Sequence, residues 1–312
     1  MVTSNGVSRR GFLGAVAGAG VAAAAGTKLE FCVFSKHLQF LNWADAGAAA
    51  REVGFDGVDL TVRKGGHVTP ERVEEDLPRA VEALRAAGSR LSMITTDLAD
   101  MTTPHAERVL RAAKKAGVTH YRWDGYKYKD GVALPDQLRE IGPRVKDLAA
   151  FNKELGLCAM YHTHSGAGRV GASQWDLWLL LRDLDRRYVS YNFDVAHATI
   201  EGGLGGWLHS ARLALPHTGG IALKDFQWSK GANGKWRVEW MPIGAGMVQT
   251  GAFLKMARAA AFSGPVQVHF EYDLGGADKG AAKISISRAA VLTAMKKDLA
   301  ALRAAAVEAG WG

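Results

Sequence analysis

From residue 28 onward, short runs of apolar and β-branched residues alternate with longer stretches in which apolar residues recur every three to four positions. Unbroken apolar runs are the mark of strands buried on both faces, and the three-to-four spacing is that of amphipathic helices. Strands are predicted over 29–35, 57–62, 91–97, 119–124, 157–162, 189–195, 220–226 and 266–272. Helices are predicted over 43–53, 71–87, 104–116, 135–155, 174–184, 206–215, 251–261 and 281–308. Gly54, Gly88, Gly117 and Gly156 stand at helix ends, where a residue without a Cβ relieves the terminal turn. Strictly alternating strands and helices imply a parallel sheet. Their number and the span 27–312 suit an α/β protein of the (β/α)8 TIM barrel class, a fold of about 250 residues. An open doubly wound sheet fits less well, because no G-x-G-x-x-G follows the first strand. No linker-like stretch interrupts 27–312, which reads as one catalytic domain.

The first 26 residues break this pattern. Ser8-Arg9-Arg10-Gly11-Phe12-Leu13 precedes a weakly apolar Gly/Ala stretch and the small residues Ala22 to Ala25. Paired arginines, such a stretch and a small-residue cleavage site predict a twin-arginine export signal over 1–26, and with it a periplasmic or extracellular location. A membrane anchor needs about 20 solidly apolar residues. This stretch is short and Gly-rich and no other segment qualifies, so no membrane span is expected in the mature chain.

Composition narrows the function. With 312 residues, 48% apolar and 22% charged, disordered, fibrous and disulfide-rich classes are excluded. Lys and Arg number 39 against 31 acids, a net charge of +8. The cations are interleaved with acids on helical stretches such as 70–88, as on a solvated exterior, and no nucleic-acid partner is expected. Cys32 and Cys158 each sit in an apolar strand and are expected to be buried and unpaired.

In a closed parallel barrel the chemistry gathers at the carboxyl ends of the strands. Those ends carry Asp59, Asp97, Arg122, Asp124, His162, His164, Asp194, His197, Lys224, Asp225, His269 and Glu271. Strand alternation puts His162 and His164 on one face, Asn192 and Asp194 on another, and Gln267, His269 and Glu271 on a third. Two imidazoles at that spacing can aim at one cation or one substrate, and a buried hydrogen-bonded pair is the competing structural reading. Asp194 can equally cap the turn that follows it. Glu271 stands in an apolar strand, where a carboxylate is costly unless paired or metal-bound. Together the three segments favour a metal site.

These residues carry a resemblance. Gly54-Phe55-Asp56-Gly57-Val58-Asp59-Leu60, Tyr161-His162-Thr163-His164-Ser165-Gly166, Phe193-Asp194-Val195-Ala196-His197, Ile221-Ala222-Leu223-Lys224-Asp225 and the glutamate of the last strand together resemble the xylose isomerase-like superfamily. That superfamily holds sugar phosphate isomerases and epimerases, ketose 3-epimerases, inosose dehydratases and endonuclease IV-type enzymes. The resemblance, over about 28–306, implies one divalent ion (Mn, Mg, Co or Zn) on His162, Asp194 and Glu271. It implies catalytic roles for Glu271, His197 and Lys224. The usual strand-seven histidine ligand falls at Ala222, leaving His164, His197 or water to stand in. A histidine at 162 also departs from the two-carboxylate scheme of the ketose epimerases.

Phe34-Ser35-Lys36-His37 and Asp59-Leu60-Thr61-Val62-Arg63-Lys64-Gly65-Gly66-His67 resemble a subgroup thought to act on 3-keto-glycosides. His37, Asp59 and His67 of these segments, with Arg122 and His164 at the strand ends, are the substrate-binding candidates. Asn233-Gly234 between Trp228 and Trp236 reads as a β-hairpin turn. Such a hairpin either lays Trp228 against a sugar face or packs its tryptophans onto the barrel. The expected activity is metal-dependent isomerisation or epimerisation of a small-molecule carbohydrate or cyclitol by proton transfer beside a carbonyl. Lyase or hydrolase action on 3-keto-glycosides by β-elimination, and a non-catalytic sugar-binding barrel, stay open as alternatives, as does a homo-oligomer.

Overall fold

Strand β1 (Phe31–Phe34) is buried along its whole length and hydrogen-bonds on both sides, so neither edge is left open. The same holds around the ring formed with β2 (Gly57–Val62), β3 (Leu91–Thr96), β4 (His120–Trp123), β5 (Cys158–His162), β6 (Val189–Asp194), β7 (Thr218–Leu223) and β10 (Val266–Val268). Every neighbouring pair is parallel and the sheet closes on itself. The molecule, a computed structural model that describes residues 28–312, is thus a (β/α)8 TIM barrel. The export signal read over 1–26 lies outside the described residues. No helix among the described residues is long and apolar enough to cross a membrane.

Helices α1 (Trp43–Val53), α2 (Val73–Ala86), α3 (Ala106–Lys115), α4 (Leu134–Leu155), α5 (Trp175–Leu181), α6 (Val195–Ala214), α7 (Thr250–Ala259) and α8 (Arg288–Glu308) occupy the crossovers. Gly54 and Gly156 end α1 and α4 at φ of 102° and 67°, as their lack of a Cβ requires. Helix α6 begins well before 206, the predicted start. Asp194 caps it by accepting from the His197 N–H at 3.0 Å, and it breaks at Gly203. The predicted strand 220–226 divides at Lys224. Beyond it, β8 (Asp225–Lys230) leaves the barrel and pairs with antiparallel β9 (Trp236–Met241), the hairpin that Asn233-Gly234 predicts. The last barrel strand stops at Val268 rather than 272. From there the chain turns to the His37 ring, which accepts the Phe270 N–H through Nε2 at 3.1 Å.

Cys32 and Cys158 are free and buried beside Met93 and Met160, a sulfur-lined section of the barrel interior. A polar section accompanies it. Asp59 accepts from Thr95 Oγ1 at 2.9 and 2.7 Å and from the Gln267 amide, which in turn accepts from Asn192. Burial raises the Asp59 carboxyl to about 6, against the pull of Thr95, Gln267 and Arg122. Because the folded state holds this proton more tightly than the unfolded chain, the stabilisation is full below the ordinary carboxylate range and is lost as pH rises through about 6. A shift of that size is worth about 3 kcal/mol. Asp298, raised likewise to about 6 by burial, adds to the same slope. Asp59→Asn should therefore flatten, without abolishing, the fall in melting temperature between mildly acidic and alkaline pH. An unchanged slope would count against this reading.

Candidate active site

Residues at or just past the ends of six of the eight barrel strands line one hollow of about 320 Å³ at the carboxyl end of the barrel. Its wall is made by Phe34 at the end of β1 and Lys36 after it, Arg63 after β2, Arg122 on β4, His162 and His164 on and after β5, Lys224 after β7, and His269 and Glu271 after β10. Trp240 of the hairpin closes one side. Ligand sites span roughly 300–1,000 Å³, so this one suits a ligand the size of a single sugar ring. A larger hollow of about 1290 Å³ runs along α4 and α5, but its charged groups are scattered among exposed Leu134 and Leu179 and do not converge.

At the floor, one ligand atom each from His162, Asp194 and His269 lie within 4.8 Å of one another, all three residues buried. His162 Nε2 is 3.8 Å from Asp194 Oδ2. The Nδ1 of His162 and both ring nitrogens of His269 have no hydrogen-bond partner. Leaving buried polar atoms unpaired is costly. Burial leads the causes that drive both imidazoles well below their ordinary range, so they are neutral, the form that donates a lone pair to a metal. Asp194 spends Oδ1 on the α6 cap and turns Oδ2 toward Lys224 Nζ, 3.2 Å away but outside hydrogen-bonding geometry. Burial pushes its carboxyl up while Lys224 opposes that, and a second cation would oppose it further. Two neutral imidazoles, a carboxylate and orphaned nitrogens fit a divalent ion.

The third donor differs from the expected one. Glu271 lies outside this group; its carboxylate is clasped by Lys36 Nζ at 3.1 Å and lies 3.8 Å from His269 Nδ1. Burial would raise it, yet Lys224, His37 and Lys36 prevail and hold it at about 2. His269, the first residue past β10, brings its ring to the place expected of Glu271 in a group that could hold a metal. Ala222 offers a buried methyl paired in register with Asp194 and Gln267.

Beside the donors runs a relay. Lys224 Nζ is 2.7 Å from His197 Nε2, and His197 Nδ1 is 2.7 Å from Ser165 Oγ. Burial, followed by Lys224, drives His197 well below its ordinary range; the neutral ring accepts a hydrogen bond from the Lys224 ammonium at Nε2 and donates one from Nδ1 to Ser165. The His164 ring lies 3.9 Å from that of His197, centroid to centroid, and its Nδ1 donates to the Ser165 carbonyl. Lys224 Nζ also sits 4.6 Å from the Trp240 ring centre, within cation–π range.

Four of the residues expected to bind substrate do not face the hollow. His37 spends Nδ1 on the Ala277 carbonyl at 3.2 Å and Nε2 on the Phe270 N–H, a structural clamp between chain ends. Asp59 is wholly buried in the Thr95–Gln267 network. His67 folds back on its own loop, with Nδ1 3.2 Å from Thr61 Oγ1. Trp228 is 39% exposed and stands away from the hollow, whereas Trp240, on the same hairpin face, stacks edge-on to His197 at 5.7 Å. Arg122 and His164 do line the hollow. Lys36 and Arg63 were visible in the quoted segments but nothing in their spacing distinguished them from surface cations. Trp240→Ala should weaken monosaccharide binding by about tenfold, the worth of one stacked ring, while Trp228→Ala leaves it unchanged. Calorimetric titration decides, and equal losses would restore Trp228.

The sequence of residues 48–293 matches the family model of the xylose isomerase-like TIM barrel. The chain belongs to that family. No curated protein matches it in sequence. Solved structures of the family are similar in fold. A xylose isomerase-like TIM barrel protein from Mycobacterium smegmatis in complex with magnesium is 15% identical, with a TM-score of 0.63 over 89% of this chain and 98% of that one. The 3-keto-D-glucoside 4-epimerase from E. coli is 13% identical, with a TM-score of 0.64 over 89% and 100%. A D-psicose 3-epimerase, solved in the presence of D-fructose, is 13% identical, with a TM-score of 0.64 over 89% and 99%. At such identities the likeness speaks for the fold of the family, and the chemistry rests on this chain's own residues.

Proposed function

We propose that this member of the xylose isomerase-like family is a metal-assisted isomerase or epimerase that moves a proton at the carbon beside a carbonyl of a sugar or cyclitol. The observation that carries the reading is the convergence of the His162 and His269 imidazoles, the latter with both nitrogens unpartnered, on Asp194 beside Lys224 and beneath a sugar-sized hollow. His162, Asp194 and His269 would hold the divalent ion, which when bound supplies Lewis acidity toward a carbonyl oxygen. Lys224 donates toward the oxygen that gains charge as the carbon loses its proton. His197 and Ser165 hold that ammonium in place. Glu271, an ionised carboxylate in the wall, accepts the proton; its basicity rises when a substrate hydroxyl draws Lys36 away. The sugar epimerases among the similar folds support this reading. So does the magnesium complex. Export by the twin-arginine route is part of the proposal.

Proton magnetic resonance in D₂O tests it. The untagged protein, loaded with a divalent ion, is incubated with ketoses and 3-keto-glucosides. Deuterium entering beside the carbonyl with every substituent retained is the expected result. Loss of the aglycone would replace isomerisation by β-elimination on the same residues, a reading that the 3-keto-D-glucoside epimerase among the similar folds keeps in view. Ligand binding with no exchange at all would leave a sugar-binding barrel and overturn the enzyme.

A further inference from the structure

The charges around the hollow do not balance. Lys36, Arg63, Arg122 and Lys224 all reach its wall. Lys36 is paired with Glu271 and Lys224 with Asp194. Among the described residues, Arg63 and Arg122 make neither an ion pair nor a side-chain hydrogen bond, although both are only half exposed. Their guanidinium carbons lie 5.4 and 5.5 Å from the centre of one ring, Phe34, so both flank that ring in the wall. Two guanidiniums that share a half-buried wall with no carboxylate in contact with either repel and are poorly solvated. Burial and then Arg63 bring Arg122 down to about 10, while Asp59, Asp124 and Glu271 pull the other way. A divalent ion on the His162–Asp194–His269 set would deepen the surplus of positive charge. Surplus guanidiniums with planar forks of donors match the two oxygens of an oxyanion.

We propose that Arg63 and Arg122 form a clamp for an anionic group of the substrate, making the preferred ligand a sugar acid or a sugar phosphate rather than a neutral sugar. The inference rests on the hollow being the substrate pocket. It places the charged end of the ligand against Phe34, with the donor set and Lys224 on the remaining wall. The shared chemistry is an oxyanion presented on a polyol, and the source, carboxylate or phosphate, is left to the measurement.

Arginine side-chain Nε–Hε resonances of the intact protein, followed at constant ionic strength, read the clamp directly. Acetate and inorganic phosphate are the probes, with chloride as control. Saturable shifts of both the Arg63 and Arg122 signals are expected with at least one oxyanion and not with chloride. The tighter of the two names the source. Calorimetry then compares glucuronate and glucose 6-phosphate with glucose. The charged sugar should bind at least about tenfold more tightly, and the preference should vanish in Arg63→Gln and Arg122→Gln. Arginine signals indifferent to both oxyanions, or glucose binding as well as its charged relatives, would overturn the clamp. Neither result depends on turnover, so the clamp can fail while deuterium exchange succeeds, and the reverse.

Discussion

Lys224→Met is expected to lower the rate of proton–deuterium exchange by about 10²–10³, the usual cost of losing one donor to a developing oxyanion. Lys224 is the one ammonium that touches both the candidate donor Asp194 and the wall of the hollow. Its loss has a second consequence. Asp194 is wholly buried, and removing its cation leaves a charge unbalanced, a loss of about 3–5 kcal/mol when no metal is bound. A divalent ion would supply the missing charge, so the metal-induced rise in melting temperature should be larger in the variant than in the native protein. Stopped-time exchange kinetics and thermal denaturation with and without metal measure both effects. A variant that exchanges at the native rate would remove Lys224 from the chemistry.

Metal affinity separates the two residues that compete for the third donor place. His269→Ala should weaken binding of a divalent ion by more than about 100-fold, whereas Glu271→Gln, acting from beyond the donor set, should cost about tenfold or less. The argument is positional: His269 brings an unpartnered nitrogen among the atoms of His162 and Asp194, while the Glu271 carboxylate is already spent on Lys36. Competition against a chelator of known affinity gives the numbers. The opposite order would return Glu271 to the metal and leave His269 as a buried ring.

The barrel was legible because its evidence is periodic. The strands are short apolar-rich runs and several helices stop at a glycine suited to the turn, so strand and helix order read directly from the chain. The strand-end acids and imidazoles were legible for the same reason, since alternation and fold together place them at one rim. What alternation cannot tell is how far a strand stays in the sheet. β10 ends at Val268, and past that point the chain bends, which brings His269 inward and lets Glu271 swing to Lys36. Asp59 and His37 look like site residues in one dimension, yet their partners, Gln267 and Phe270, lie more than 200 positions away. The choice between Trp228 and Trp240 depended on how far the hairpin overhangs the rim, a quantity of tilt that no spacing encodes.

The hairpin leaves and re-enters the barrel at almost a single point. The Asp225 carboxylate accepts from the backbone N–H of Phe226, Gly244, Gly246 and Val248, between 2.8 and 3.1 Å, tying the outgoing chain to the returning one. A Cβ on Gly246 would fall 2.2 Å from that carboxylate, so the knot admits nothing larger there. Everything between hangs from this knot and from Trp240, whose ring rests on Lys224 and His197. The far end of such an overhang, around Asn233-Gly234, can be lengthened or shortened over generations without disturbing the ring of strands beneath, provided Trp240 keeps its seat.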